Sequence, residues 1–196
     1  GGEDETVIAV AKVYATRVDF LALHRFNFPT SVSPLEAARA AKMIFEDWGG
    51  TGSDVLIADA LGVGAGTAGT LIEKGLPVIA YRGGESADDP LQWRNRRVQT
   101  YLVMRNHFRD GSIAFADDFA EADWDDLTAQ LTAIKVKPGI ERVEDLETKA
   151  DLKRRGIKSP DIADACAMIF AGQRPHMVRI AATEITATPG IGSQFG

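Results

Sequence analysis

Asp161 and Asp164 stand three residues apart in the segment Lys149–Ala171, KADLKRRGIKSPDIADACAMIFA. In a helix, positions i and i+3 share a face, so the two carboxylates are expected to converge. Ser159 is placed to cap that helix and Pro160 to fill its first position. Ile162, Ala165, Cys166, Ile169 and Phe170 mark the helix as buried. An acid among such neighbours costs free energy unless something neutralises it. For Asp161, attraction to the helix N-terminus is a sufficient account. Asp164 lies deeper and asks for a cation, either a divalent metal or a nearby arginine. Lys149, Lys153, Arg154, Arg155 and Lys158 lead into the helix. A phosphate-bearing substrate beside a metal site would explain both the acids and the bases.

A further carboxylate, Asp59, follows a short apolar run in VLIADALGVGAGTAG. The run reads as a buried strand from Asp54 to Ala58. Ligand sites of α/β sheets lie at the carboxyl ends of strands, which favours a functional Asp59. An Asx-type turn ending the strand is the plain alternative. Gly64, Gly66 and Gly69 satisfy G-x-G-x-x-G after a strand, so a nucleotide-binding turn is a second reading. Against it, Asp59 would place negative charge near a pyrophosphate. Glu85, at the spacing of a ribose-binding acid, falls in a loop. The glycines read better as a tight strand-to-helix turn. His24, His107 and His176 show no metal-ligand spacing, and no G-x-S-x-G elbow occurs.

The elements that must position these residues follow the α/β pattern. Thr6–Val13 and Val18–Phe26 alternate as a hairpin, and Ser33 to Glu36 reads as a capping box opening a helix to Trp48. After the Asp54–Ala58 strand come a helix ending near Gly75, a strand over Pro77–Tyr81 and a polar loop. A long helix is expected over Pro90–Phe108 and a short one over Trp124–Leu131. A hairpin about Pro138-Gly139 precedes the last helix. Residues 1–171 read as one domain and 172–196 as a C-terminal tail. The chain has 196 residues and one cysteine, which excludes a disulfide framework. No apolar run approaches the ~20 residues of a membrane helix, and the start does not read as a secretory signal. Net charge is −6, against a general nucleic-acid binder. Yet the charge is segregated. Pro90–Arg109 carries Arg94, Arg96, Arg97, Arg105 and Arg109 with no acid, whereas Asp117–Asp126 is acidic throughout its charged positions. Basic segments beside a candidate metal site favour a polyanion as partner.

Four segments in order, GGEDETVIAV, VLIADALGVGAG, WRNRRVQTYLVMR and KADLKRRGIKSPDIADACAMIFA, resemble the nuclease domain of the large terminase subunit of tailed bacteriophages. The resemblance covers about residues 1–171. It implies an RNase H/RuvC-like fold, a mixed sheet with helices on both faces. It also implies endonuclease activity on double-stranded DNA in the bacterial host cytoplasm. Two Mg²⁺ or Mn²⁺ ions would sit between carboxylates, with oxygen ligands suited to hard cations. Asp59 and Asp164 would be ligands, and Asp161 an accessory ligand or base. Lys149, Lys153, Arg154, Arg155, Lys158, Arg96 and Arg97 would face DNA. Portal and small terminase subunit would be partners of the full-length protein. One departure stands out. The family's first catalytic acid lies on a strand just before the Gly-x-Asp-x-Thr segment, and this chain begins inside that segment. The expectation is therefore a nuclease domain without its first acid. A docking domain without activity is the remaining alternative.

Overall fold

The computed structural model of the chain describes residues 5–29, 33–61, 64–137, 143–171 and 177–183, the last stretch as backbone. Strands β1 (Thr6–Val13) and β2 (Val18–Phe26) form the expected hairpin. Helix α1 (Ser33–Asp47) leads to β3 (Val55–Asp59), α2 (Gly64–Glu73) and β4 (Val78–Tyr81). Helix α3 (Arg96–Arg109), β5 (Ile113–Phe115) and α4 (Glu121–Ala133) follow. The small pair β6 (Val136–Lys137) and β7 (Asp145–Leu146) precedes α5 (Lys149–Arg154), α6 (Asp161–Met168) and β8 (Met177–Thr183).

Six strands make one mixed sheet in the order β4-β3-β8-β1-β2-β5. Period-two alternation sends Val7, Ala9 and Ala11 of β1 to one face, where α3, α4 and α6 bury Tyr101, Leu127 and Ile162. Ile8 and Val10 go to the other face, against α1 and α2 through Ala38, Ala41 and Leu71. Both faces are thus covered, as an RNase H-like architecture requires.

Several expected elements are corrected. Residues from 172 were expected to form a tail. Instead Met177–Thr183 is a central strand, antiparallel to β1 and parallel to β3. The expected loose end at Thr188–Gly196 lies outside the described residues. The helix expected from Pro90 begins at Arg96, because the Asn95 side chain caps it through Val98 N at 3.0 Å. Trp93 bridges to Glu144 instead of continuing the helix. The capping box at Ser33 does not form. The Ser33 hydroxyl has no partner among the described residues, and Glu36 pairs with Arg39 at 2.5 Å. The turn at Pro138-Gly139 lies outside the described residues; the hairpin expected between Ile134–Val136 and Ile140–Val143 is replaced by a pair of Val136–Lys137 with Asp145–Leu146.

Candidate active site

Asp59 is the last residue of β3. It shares strand parity with Val55 and Ile57, which pack into the core beneath α6, so its carboxylate lies on that face. Its Oδ1 accepts from Leu61 N at 3.1 Å, which turns the chain off the sheet. Helix α2 then starts almost on top of the strand end. A Cβ at Gly64 would lie 2.4 Å from the Asp59 carbonyl oxygen, and one at Gly66 would lie 3.0 Å from Pro34 Cβ. A Cβ at Gly69 would meet nothing within 4 Å. The glycines therefore serve close packing at the strand end, and the third position of the dinucleotide fingerprint has no such need.

Asp164 comes from the first turn of α6 and is 8% exposed. Three side chains from two other helices meet it. Tyr101 donates its hydroxyl to Asp164 Oδ1 at 2.5 Å. Arg97 Nε lies 3.5 Å from the same oxygen, and Lys149 Nζ lies 2.8 Å from Oδ2. Arg97 and Tyr101 are one turn apart on α3, so they project from one helix face. The guanidinium lies over the Tyr101 ring, 4.8 Å from its centroid, and Arg97 Nη1 donates to the Glu147 carbonyl at 2.9 Å. Lys149 is the first residue of α5. The Thr148–Asp151 capping box fixes that start: Thr148 Oγ1 accepts from Asp151 N at 3.1 Å, and the Asp151 carboxylate accepts from Thr148 N at 2.9 Å.

The charges are organised around Lys149. Burial pushes Asp164 up, but Lys149 and Arg97 outweigh it and hold the carboxyl below its ordinary range. Burial lowers Lys149, yet Asp164 outweighs that and raises it. Asp59 and Asp161 are both raised by burial, with Lys149 opposing in each case. One ammonium thus acts on all three carboxylates.

Asp161 and Asp164 lie in the first turn of one helix, close enough for Asp164 to help raise Asp161, but different partners engage the two carboxylates. Among the described residues no three His, Cys, Asp or Glu side chains are close enough to hold a metal. Asp161 Oδ1 accepts from Ser159 Oγ at 2.6 Å and Oδ2 from Glu5 N at 3.1 Å. Ser159 thus binds Asp161 instead of capping the helix, and Pro160 takes the cap position. Asp59 and Asp164 fit a divalent cation better. Their donors are all oxygen, and Asp164 Oδ2 is buried facing the Lys149 ammonium, a place a cation already favours.

The basic residues divide. Lys149 and Arg97 belong to the site. Arg154 pairs with Asp151, and Arg155 pairs with Glu147 and donates to Ala133 O at 3.1 Å. Arg96 lies 4.0 Å from Asp88. Lys153 and Lys158 are exposed and make no ion pair among the described residues. Sequence reasoning singled out neither Tyr101 nor Glu147. Neither carries a local signal, since their partners are brought in by the fold.

No protein-family model and no curated protein matches the chain. Solved structures do. The nuclease domain of the large terminase subunit gp2 of bacterial virus Sf6 superposes with a TM-score of 0.68 at 21% identity, covering 89% of this chain and 91% of that one. A lysine-to-alanine variant of that domain, solved with manganese, gives 0.66 at 22% identity over 83% and 88% of the two chains. A variant solved with calcium gives 0.66 at 21% identity over 87% and 89%. The chain has the fold of the nuclease domain of a phage large terminase subunit.

Proposed function

We propose that this chain is a divalent-metal-dependent endonuclease domain that cleaves double-stranded DNA during phage genome packaging, inside the bacterial host. The observation that carries the reading is that Asp59, at the carboxyl end of β3, and buried Asp164 lie under the field of one lysine. The relatives of this fold solved with manganese and calcium support it. Asp59 and Asp164 would hold Mg²⁺ or Mn²⁺. The cation, when bound, would activate water and stabilise charge developing on the phosphodiester.

The chain's own residues do the rest. Asp164 stays anionic because Lys149 and Arg97 outweigh its burial. Lys149 neutralises the acids while no other cation is bound. Asp161 ties α6 to the start of β1 through Glu5 N, which makes it a positioning group. Lys153 and Lys158 are the charges best placed for the DNA backbone, because they are exposed and unpaired among the described residues. Portal and small terminase subunit are proposed partners of a longer protein. Among the described residues no helix is long and apolar enough to cross a membrane.

The test is nicking of supercoiled plasmid in Mn²⁺ by the chain and by Asp164→Asn. Cleavage lost in the variant supports the reading. Equal cleavage by both removes Asp164 from the chemistry. DNA binding without cleavage by either favours a docking role.

A further inference from the structure

Asp164 is held asymmetrically. Its Oδ1 receives the Tyr101 hydroxyl at 2.5 Å, with Arg97 Nε 3.5 Å away. Among the described residues its Oδ2 faces the Lys149 ammonium, at 2.8 Å. The two groups on Oδ1 are themselves fixed. Tyr101 is 6% exposed, between α3 and α6. Arg97 is anchored by the Glu147 carbonyl and stacks on the Tyr101 ring. Lys149, by contrast, has a flexible stem, and its side chain is 32% exposed. One oxygen is bound to the scaffold and the other to a cation that can leave.

We propose that Tyr101 is a positioning residue for cation binding: its hydroxyl locks Asp164 through Oδ1, so that Oδ2 alone is presented, in one orientation, to whichever cation occupies the site. This inference rests on the reading of Asp59 and Asp164 as the metal-holding pair. A short bond from a hydroxyl to a carboxylate is charge-assisted and directional. Groups that orient a ligand from behind in this way set its geometry, and removing one costs about 10–100-fold in metal affinity. A hydroxyl present only to satisfy its own burial would leave metal affinity untouched when removed.

Tyr101→Phe keeps the ring, its packing and its stacking with Arg97, and deletes the single oxygen. Tyr81→Phe is the matched control, because the Tyr81 hydroxyl bonds Thr100 Oγ1 at 3.1 Å and not Asp164. Mn²⁺ binding by the full chain would be followed by electron paramagnetic resonance, without DNA, beside melting curves in EDTA. We expect Tyr101→Phe to weaken Mn²⁺ binding about tenfold or more with a small change in melting, and Tyr81→Phe to bind as the parent does. Asp164→Asn, run alongside, separates the two claims. If it abolishes Mn²⁺ binding while Tyr101→Phe binds normally, the role of Tyr101 is overturned and the metal pair stands. If Asp164→Asn binds Mn²⁺ unchanged, the metal pair itself is overturned, and the inference with it. A Tyr101→Phe chain that binds weakly but also melts far below the parent overturns the positioning role in favour of a packing one.

Discussion

Gly64 is pressed against the backbone of Asp59: a Cβ added there would lie 2.4 Å from the Asp59 carbonyl oxygen. That distance is inside any real van der Waals contact, and the atom it meets is backbone, which cannot swing away. Gly64→Ala must therefore move either the start of α2 or the end of β3. We expect a loss of about 1–3 kcal/mol in urea unfolding, typical of overpacking, together with loss of cleavage, because Asp59 moves with the strand end. Gly69→Ala should do the opposite. It has open space within 4 Å and sits inside α2, so it gains up to about 1 kcal/mol from helix propensity. A nucleotide-binding fingerprint would need both glycines. Equal sensitivity at the two positions would revive that reading.

The Lys149–Asp164 pair makes a second prediction. Lys149→Met removes the ammonium 2.8 Å from Oδ2 but leaves Arg97 and Tyr101 on the other oxygen. Without metal the variant should lose about 1–2 kcal/mol, less than a fully buried pair would, since the lysine is about a third exposed. Added Mn²⁺ should then stabilise the variant more than the parent, because the ion no longer displaces a resident cation. Parallel melting curves in EDTA and in Mn²⁺ read both effects. A variant that gains nothing extra from Mn²⁺ would mean that lysine and metal do not share a place.

How much of this arrangement is legible in the chain depends on how local its cause is. The hairpin of β1 and β2 falls at its expected residues because alternation and β-branched side chains specify it within a few positions. Asp59 is found for the same reason, as the acid that ends an apolar strand. The insertion of Met177–Thr183 between β1 and β3 has no such signal. A segment carrying Arg179 amid small residues gains its place only from two edges far away in sequence. The shared helix turn of Asp161 and Asp164 is legible from spacing alone, whereas the capture of Asp161 by Ser159 and Glu5 N is not. Lys149 was grouped with surface bases by proximity in sequence, whereas the Thr148 cap turns it toward Asp164. The Tyr101–Asp164 bond spans 63 residues and could not be read from either segment.

The central position of β8 is open to a backbone test. Ala181 lies opposite Ala9 on one side and Ile57 on the other. Proline there removes a ladder donor in mid-sheet, where the residue is essentially never tolerated. Ala181→Pro should cost about 3 kcal/mol or more, a large share of the about 5–15 kcal/mol that holds a domain folded. Far-ultraviolet circular dichroism and size exclusion would reveal it. A native-like Ala181→Pro chain would show that the sheet does not depend on this strand.

Burial lowers the affinity of His24 for its proton, and Asp47 only partly offsets that. The buried Nε2 has no hydrogen-bond partner among the described residues. A histidine held neutral in the fold but free to charge when unfolded makes stability rise with pH. Stability should be full above the ordinary imidazole value of about 6.5 and should decline as pH falls below it. His107 is also lowered by burial and should share the slope. His24→Leu should therefore flatten, without abolishing, the fall in urea midpoint between about pH 7.5 and pH 5.5. An unchanged fall would assign the whole slope to other groups.

Lys153 and Lys158, exposed and without an ion pair among the described residues, distinguish DNA contacts from structural charges. Lys153 and Lys158 flank the turn between α5 and α6, while Arg155, between them, is tied to Glu147 and the Ala133 carbonyl. A lysine that contacts a phosphate releases counterions, and its removal lowers the slope of log affinity against log salt by about one. Lys153→Ala and Lys158→Ala should each weaken duplex binding in Ca²⁺ and flatten that slope, with melting unchanged. Arg155→Ala should instead lower melting, because it leaves buried Glu147 without its cation, and should barely alter the salt slope. The opposite pattern, with the slope moving only for Arg155, would place the DNA on the other side of this turn and require the basic face to be redrawn.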